Sequence, residues 1–451
     1  EELTARLARE LGHRPEHVNN VVQLLDEGNT IPFIARYRKE MHGAMDDQTL
    51  RELAERLQYL RGLDKRREEV RAAIGAQGKL TPELSESIDR AETLARIEDL
   101  YRPYRQKRRT RAGAARERGL EPLAVIICAQ LKNSGTPLER AAAFVDPEKE
   151  VNTPEDALQG ALDIIAEDLS DDAAIRGALR RLLEKQGELC SRAAGEEDSV
   201  YRLYYDFTAP LRRVQGHQIL AMNRGEREER LKVSVRLERQ PALDILYRAA
   251  LHGSGPMTDA VRAACGDAYD RLIFPSLERE MRSELTEAAN EQAIHNFALN
   301  LRPLLMQPPV RGKVTMGLDP GFRTGCKVAV VDGTGKVLDT GVIYPTQPHN
   351  KIREAKAALK KWIVDYGVQC IAIGNGTASR ETEQVVAELL REPGCEKTAY
   401  MIVSEAGASV YSASPLAAEE FPEYDVSLRS AVSIARRLQD PLAELVKIDP
   451  K

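Results

Sequence analysis

Residues 313–345 read KVTMGLDPGFRTGCKVAVVDGTGKVLDTGVIYP, and their composition differs from that of the chain before them. Upstream, Ala, Leu, Arg and Glu dominate, whereas here runs rich in β-branched residues follow one another. The turn DGTG at 332–335 separates the second run from the third. Asp-Gly between such runs is typical of a tight antiparallel hairpin. The stretch therefore predicts three consecutive antiparallel strands.

After this hairpin the pattern alternates between helix and strand. Helical periodicity marks 350–367, 379–392 and 427–440, and short apolar runs mark strands at 368–374 and 397–405. The resulting order, β-β-β-α-β-α-β-α, is that of the ribonuclease-H-like fold. We therefore predict an α/β ribonuclease-H-like domain in this part of the chain.

The first 300 residues are predicted to be mainly helical. One apolar helix face is marked by Leu50, Leu53, Leu57 and Leu60. A threonine that can cap a helix, followed by proline at the first helical position, occurs at Thr81, Thr136 and Thr153. The proline-rich stretch 300–314 then predicts a domain junction. The fold class is therefore multidomain and mainly α, with one α/β domain.

Composition excludes several classes of protein. The six cysteines form no Cys-x-x-Cys pair, which argues against a zinc site or a disulfide framework and favours a reducing cytoplasm. No apolar run approaches the ~18 residues of a membrane span, so we expect no membrane association. The formal net charge of −5 combines segments of opposite sign, and it leaves a polyanionic partner open.

Asp319 ends the first predicted strand, where a metal-dependent nuclease of this fold would place its first carboxylate. Two Mg²⁺ ions that clamp a phosphodiester need several anionic oxygen ligands. Glu405, after the fifth strand, is a second candidate. Asn375, after the fourth strand, is neutral, and Arg429, in the first turn of the last helix, would bring a positive charge to the site. Two acids predict a poor two-metal catalyst.

Three interpretations of Asp319 remain open: a polar residue that holds the tight turn DPGFRTG, a weak Mg²⁺ ligand with Glu405, or a catalytic carboxylate. A fourth comes from another class, because sugar kinases and related ATPases place an Asp-x-Gly turn on ATP phosphates. Such ATPases need two halves of this fold, and only one is visible here. The stretch GNGTAS at 374–379 could hold a phosphate on its backbone amides, although an ordinary strand-to-helix turn explains it as well.

Two basic segments are candidates for nucleic-acid binding. The segment 101–119 combines arginines, which bind phosphate bidentately, with tyrosines, which can stack on unpaired bases. Its candidate residues are Tyr101, Arg102, Tyr104, Arg105, Lys107, Arg108, Arg109 and Arg111. The second segment contributes Arg36, Arg38 and Lys39. The alternatives are a solvated loop, or docking of the basic segment on acidic stretches elsewhere in the chain.

Long motifs then carry a family resemblance. They are LLDEGNTIPFIARYRKEMHGAMDDQTLRELAERLQYL (24–60), GKLTPEL (78–84), IEDLYRPYRQKRRTRAGAARERGLEPLA (97–124) and VRGKVTMGLDPGFRTGCKVAVVD (310–332). These motifs closely resemble the Tex family of bacterial transcription accessory proteins, whose core is similar to that of a eukaryotic transcription elongation factor. In resolvase-like relatives, catalytic acids match Asp319, Glu405 and a position near Arg429, so this chain departs at the third.

The resemblance implies a domain plan. It gives a helical amino-terminal region with a helix-turn-helix-like part (1–195), a helical connecting region (196–310) and a YqgF domain of resolvase ancestry (311–451). The family's helix-hairpin-helix modules and OB-fold RNA-binding domain do not follow within this sequence, and we expect this to be a truncated form.

From residues and resemblance together, we expect a transcription accessory factor that binds RNA or DNA as single strands and contacts the transcription machinery. We expect no catalysis and no cofactor beyond weak Mg²⁺ binding at Asp319 and Glu405. A Mg²⁺-dependent nuclease and a nucleotide-dependent ATPase are the alternatives.

Overall fold

The computed structural model describes residues 3–105, 110–132, 135–196 and 198–449. The chain divides into two compact units, Glu1–Asn290 and Glu291–Lys451. Both contain helices, and the second contains the larger sheet. The predicted class, multidomain and mainly α with one α/β domain, is confirmed. Within the described ranges, no helix is long and apolar enough to cross a membrane.

The first unit is built mainly from helices. Their bounds are α1 (Leu3–Leu11), α2 (Pro15–Asp26), α3 (Ile31–Tyr37), α4 (Asp47–Gly75), α5 (Pro82–Asp89), α6 (Leu94–Tyr101), α7 (Arg111–Glu117), α8 (Glu121–Cys128), α9 (Pro137–Ala141), α10 (Pro154–Asp171), α11 (Ala173–Gln186), α12 (Gly216–Arg227), α13 (Arg239–Ala250), α14 (Pro256–Asp267) and α15 (Phe274–Leu305). A π-helical turn, Ala268–Ile273, joins α14 to α15, which extends past the last residue of this unit.

The three predicted threonine caps are confirmed. Thr81 accepts a hydrogen bond from the amide of Leu84, three residues into the turn. Thr136 and Thr153 form reciprocal capping boxes with Glu139 and Asp156. In each case proline occupies the first helical position, where a missing amide donor costs nothing. The local sequence therefore fixes where α5, α9 and α10 begin.

A three-stranded antiparallel sheet interrupts the helices of the first unit. Its strands are β1 (Glu188–Ala193), β2 (Asp206–Pro210) and β3 (Leu231–Arg236), in the order β2-β1-β3. Leu189 and Val235 face each other across β1 and β3 and belong to the core shared with α10 to α15. This sheet was not predicted, because its strands ELCSRA and DFTAP hold few β-branched residues.

The second unit contains the ribonuclease-H-like order of elements. Its elements are β4 (Thr315–Asp319), β5 (Cys326–Val331), β6 (Val337–Ile343), α16 (Ile352–Tyr366), β7 (Cys370–Gly374), α17 (Ser379–Leu389), β8 (Ala399–Val403), α18 (Ala408–Ser412), α19 (Pro415–Glu420), α20 (Val426–Gln439) and α21 (Pro441–Leu445). The sheet order is β6-β5-β4-β7-β8. The strands β4, β5 and β6 are antiparallel, whereas β7 and β8 run parallel to β4.

Helices cover both faces of this sheet. Side chains alternate along a strand, so Met316 and Leu318 of β4 face the core beside α16 and α17, whereas Gly317 and Asp319 face α20. A Cβ atom at Gly317 would lie 2.2 Å from the carbonyl oxygen of Ala431 and 2.7 Å from the amide of Ala435. Only glycine therefore allows α20 to approach the central strand so closely.

Candidate functional site

The parallel strands bring three of the predicted site residues to one edge of the sheet. Asp319 ends β4, Asn375 follows β7, and Glu405 lies two residues after β8. The carboxyl ends of neighbouring parallel strands meet at the same edge. The side-chain oxygen of Asn375 accepts a hydrogen bond of 3.1 Å from the amide of Glu405. Asn375 therefore holds the turn that carries Glu405 and offers no charge.

Asp319 lies half-buried under α20. Burial raises the pKa of its carboxyl, and the nearby charge of Glu405 raises it further. A hydrogen bond with the Ser430 hydroxyl and the charge of Lys327 act in the opposite direction. Since Glu405 affects Asp319 electrostatically, the two acids share one site.

The carboxylate of Glu405 rests against the backbone that follows β7. A Cβ atom at Gly376 would lie 1.7 Å from one carboxylate oxygen of Glu405, and one at Gly374 would lie 2.7 Å from the other. Any side chain at Gly376 would therefore displace Glu405. The glycines of GNGTAS make room for this carboxylate, which would repel a phosphate group at the same place.

A buried guanidinium lies beside Glu405. Arg437 of α20 donates from Nη1 to the carbonyl oxygens of Ser404 and Ala406, at 2.8 and 2.7 Å, and is 3% exposed. Burial lowers the pKa of Arg437, whereas the charges of Glu444 and Glu405 raise it. Arg437 therefore supplies a fixed positive charge to the turn that carries Glu405.

Arg429, the predicted departure from a catalytic acid, lies in the first turn of α20 and is engaged by backbone carbonyls. Its guanidinium donates to the carbonyl oxygens of Phe421, at 3.0 Å, and Ser412, at 3.4 Å, and so joins α20 to α18 and α19. The next residue, Ser430, contacts Asp319. Sequence reasoning missed Arg437, although it lies on the same helix face as Ser430, two turns further along.

The site offers few metal ligands. Across the described ranges, no group of three or more His, Cys, Asp or Glu side chains is placed to hold a metal ion. Among the described residues of this site, Asp319 and Glu405 are the two that could contribute anionic oxygen ligands, with a neutral amide and a fixed cation nearby. Mg²⁺ bound for catalysis ordinarily has more anionic oxygen neighbours than this.

Two arginines of the first basic segment are engaged with acids of α10. Arg102 pairs with Asp171 at 3.1 Å, and Arg116 pairs with Glu167 at 2.7 Å and with Asp168. The acids at 163, 167 and 171 recur every four residues on one face of α10 and are largely buried. That spacing is the signal from which the sequence could have predicted docking. Lys107, Arg108 and Arg109 lie outside the described residues.

The tyrosines of this segment are partly packed rather than free. Tyr101 and Tyr104 border a core formed by α4, α5 and α6, and the guanidinium of Arg66 lies 5.6 Å from the Tyr101 ring centre. Arg105 and Arg111 are exposed. Of the described candidates in this segment, these two arginines are the most accessible to a phosphate backbone.

The second basic segment presents an exposed aromatic ring among cations. Tyr37, the last residue of α3, is 56% exposed, and the Arg36 guanidinium lies 5.6 Å from its ring centre. Arg38 lies 5.0 Å from the ring centre of Phe33. Among the described ion pairs, none involves Arg36, Arg38 or Lys39. Cations at a helix carboxyl end are also favoured by the helix dipole.

Comparisons with known proteins cover most of the chain. Three family models match it: the Tex-like protein N-terminal domain over residues 1–75, the Tex central region-like model over 132–297, and the Tex protein YqgF-like domain over 313–439. The match to the YqgF-like domain coincides with the sheet of the second unit.

Relatives extend the similarity to the whole sequence. The uncharacterized protein YdcI of Bacillus subtilis is 49% identical over 100% of this chain and 63% of its own length. The transcriptional accessory protein Tex of Neisseria gonorrhoeae is 44% identical over 100% of this chain and 59% of its own. The human S1 RNA-binding domain-containing protein 1 is 36% identical over 96% of this chain and 45% of its own.

The chain thus spans about three fifths of the length of its bacterial relatives, at 63% and 59%. With three successive Tex models and near-complete alignment to a protein named Tex, the chain belongs to the Tex family.

Proposed function

We propose that this chain binds single-stranded nucleic acid as a transcription accessory protein and acts by binding, without cleaving phosphodiesters. The observation that carries the proposal is the surface Arg36–Lys39, where exposed Tyr37 lies among three cations that make no described ion pair. Aromatic rings stack on unpaired bases, and arginine and lysine neutralise phosphates. The family relationship to a transcriptional accessory protein and to a protein named for an S1 RNA-binding domain supports this proposal.

The second half of the proposal concerns the acidic site. Asp319 and Glu405 share one edge of the sheet, but Asn375 and Arg437 occupy the surroundings that further carboxylates would need. A fixed guanidinium beside Glu405 reduces the attraction of the site for a divalent cation. These features support a site that keeps the geometry of the fold without assembling a two-metal centre.

The binding proposal is tested by titrating a labelled single-stranded RNA, a single-stranded DNA and a duplex at several salt concentrations. Replacing Arg36 and Lys39 by Ala should weaken binding of the single strands. The slope of log affinity against log salt should fall by about 0.7 for each lost phosphate contact. Tyr37→Ala should weaken binding without changing that slope.

Arg90→Ala is the matched control. Arg90 belongs to the same unit, its side chain is 77% exposed, and among the described acids it pairs only with Glu86. An equal loss of affinity for single strands in Arg90→Ala and in the Arg36/Lys39 variant would show that the surface Arg36–Lys39 does not bind them.

A metal-dependent nuclease is the second candidate, favoured by the electrostatic coupling of Asp319 with Glu405. It is tested by incubating the protein with junction, duplex and single-stranded substrates in Mg²⁺ or Mn²⁺. We expect no cleavage above that of Asp319→Asn. Cleavage that disappears in Asp319→Asn would establish this alternative and refute action by binding alone. Phosphate release from ATP, measured in parallel, tests the ATPase alternative.

A further inference from the structure

A cavity of about 740 Å³ lies within the first unit, between α6, α11 and α15. Its volume falls within the range of 300–1,000 Å³ that small-molecule sites occupy. Four arginines line it: Arg102, Arg105, Arg176 and Arg180. None of these residues belongs to the acidic site of the second unit or to the surface Arg36–Lys39.

A buried ion-pair network fixes two of these arginines. Asp99, 3% exposed, accepts hydrogen bonds from Nε of Arg176 and Nη1 of Arg180, both at 2.8 Å. Glu280 pairs with Arg180, and Nη2 of Arg176 lies 3.3 Å from the Ser276 hydroxyl. Since both guanidiniums are held by several partners, their directions are set before any ligand arrives.

One donor of this network lacks an acceptor. Arg176 is 2% exposed, and its Nη1 has no hydrogen-bond partner among the described residues. A buried N–H donor without an acceptor is costly, because it has lost its water and gained nothing in return. The orphan nitrogen belongs to a side chain that lines the cavity. An acceptor inside the cavity would remove that cost.

A second positive charge lies beside it. Arg102 lines the same cavity and pairs with Asp171, which lies outside the lining. Burial and the charge of Arg176 lower the pKa of Arg102 by more than Asp171 and Asp99 raise it. Arg105 also lines the cavity, is exposed and takes part in no described ion pair. Two neighbouring guanidiniums that repel each other are stabilised by an anion between them.

Five acids also line the cavity, and three of them are already engaged by arginines. Asp99 and Glu280 are engaged with Arg176 and Arg180, and Glu98 pairs with Arg66 at 2.6 Å. The remaining two, Glu284 and Glu287, both belong to α15. The cavity therefore has arginines from α11 and from the segment that follows α6, whereas the two carboxylates without a described ion pair both come from α15.

We propose that this cavity binds a phosphate monoester, whose oxygens accept from Nη1 of Arg176 and from Arg102, with Arg105 contributing at the rim. The planar guanidinium matches the spacing of phosphate oxygens, which favours phosphate over a spherical anion such as chloride. The phosphate can belong to a free small molecule, such as a mononucleotide, or to the 5′ end of an RNA strand. The proposal does not rest on the surface Arg36–Lys39.

The test measures ligand-dependent thermal stabilisation and binding heat for inorganic phosphate and AMP, with chloride at matched ionic strength as the reference. We expect phosphate and AMP to stabilise the protein beyond chloride. Arg102→Gln should weaken phosphate binding about tenfold, as expected for loss of one charge-assisted contact. Arg105→Gln should weaken it less, and the surface variant Arg90→Gln should leave it unchanged.

Two further arms separate the sources of phosphate. A short RNA with a 5′-phosphate is compared with the same strand bearing a 5′-hydroxyl. A preference for the phosphorylated strand that Arg102→Gln abolishes assigns the site to RNA ends, whereas binding of AMP without that preference assigns it to a free metabolite.

Absence of stabilisation by phosphate and AMP beyond chloride, together with equal binding of both strands, would overturn the proposal. So would equal loss of phosphate binding in Arg90→Gln and Arg102→Gln. Because Arg102→Gln leaves its partner Asp171 with one ion pair fewer, Arg105→Gln keeps the test informative if the first variant folds poorly. An unaltered phosphate affinity in a folded Arg105→Gln and a folded Arg102→Gln contradicts the assigned contacts.

Discussion

At the scale of single residues, the acidic site is defined as much by Arg437 and Ser430 as by its two carboxylates. Ser430 contacts Asp319, and Arg437 holds the turn on either side of Glu405. Neither adds an anionic ligand for a metal ion. Arg437 therefore stabilises the turn that carries Glu405.

The environment of Asp319 leads to a prediction about stability. Burial and Glu405 raise the pKa of Asp319, so the folded protein holds a proton there more tightly than the unfolded chain. The stability that this proton supplies is lost as pH rises from the usual carboxyl pKa through the raised one. At neutral pH the ionised side chain therefore opposes folding.

Asp319→Asn removes that charge, so its melting temperature should exceed that of the wild type at neutral pH, and the difference should shrink at acidic pH. Thermal melts of both proteins between about pH 4 and pH 8 check this. Asp365→Asn, on the exposed surface of α16, serves as the control. A difference that is constant across the pH range would contradict the prediction.

The sequence allowed Asp319, Asn375 and Glu405 to be placed near one another, because each follows a strand of a recognisable order. It did not allow the partners from α20 to be identified. Whether Arg429, Ser430 or Arg437 faces the acids depends on how the helix is rotated against the sheet. That rotation follows from tertiary packing, which a periodicity of apolar residues fixes only to within neighbouring positions.

At the scale of elements, α10 changes the interpretation of the basic segment. Its acids at four-residue spacing receive Arg102 and Arg116, and Asp163 lies 3.2 Å from Arg271. A run of arginines in the sequence can thus be neutralised by one helix face of the same chain. Arg102 and Arg116 fit the alternative in which the basic segment docks on acids of the same chain. Arg105 and Arg111 are exposed.

Arg116→Ala is therefore expected to lower stability rather than nucleic-acid affinity. Removing Arg116 leaves the largely buried Glu167 with one partner fewer, at a cost of about 1–3 kcal/mol. Chemical unfolding of the variant measures that cost, and titration with labelled single-stranded RNA measures affinity. Arg90→Ala should change neither. A loss of affinity in folded Arg116→Ala with unchanged stability would instead assign Arg116 to the interface.

Helix starts and the hairpin turn were predictable from the sequence, because neighbouring residues determine them. Threonine-proline starts fixed the beginnings of α5, α9 and α10, and the Asp-Gly turn fixed the hairpin of β5 and β6. The sheet β2-β1-β3 was missed because its strands are stabilised by the core they share with α10 to α15, not by their own β propensity.

At the scale of the whole molecule, the chain combines two units with separate cores. The sheet of the second unit has buried residues on both faces, beside α16 and α17 on one side and α20 on the other. Just before the predicted boundary at 311, Val310 packs against the core of α20 and its amide donates to the carbonyl of Leu438 at 3.0 Å.

These contacts predict that the second unit folds by itself. A fragment of residues 306–451 should unfold cooperatively on heating, because its core is complete. A fragment of residues 311–451 should also fold but melt at a lower temperature, since it lacks Val310. Circular dichroism melts of both fragments check this. A gradual, non-cooperative transition of the longer fragment would show that its core depends on the rest of the chain.

The contact at Gly317 has a consequence for tolerated changes in length. Ser430 and Arg437 are seven residues apart, so along α20 they are separated by about 10.5 Å, close to two turns. Ala431 and Ala435 of α20 pack directly against Gly317, which has no side chain. This contact fixes the position of α20 along the central strand. Deleting one residue between 431 and 436 would rotate Arg437 by about 100° away from Glu405 while Ser430 stayed in place. Point substitutions on the exposed side of this helix leave the spacing intact, whereas any insertion or deletion inside it separates the two halves of the site.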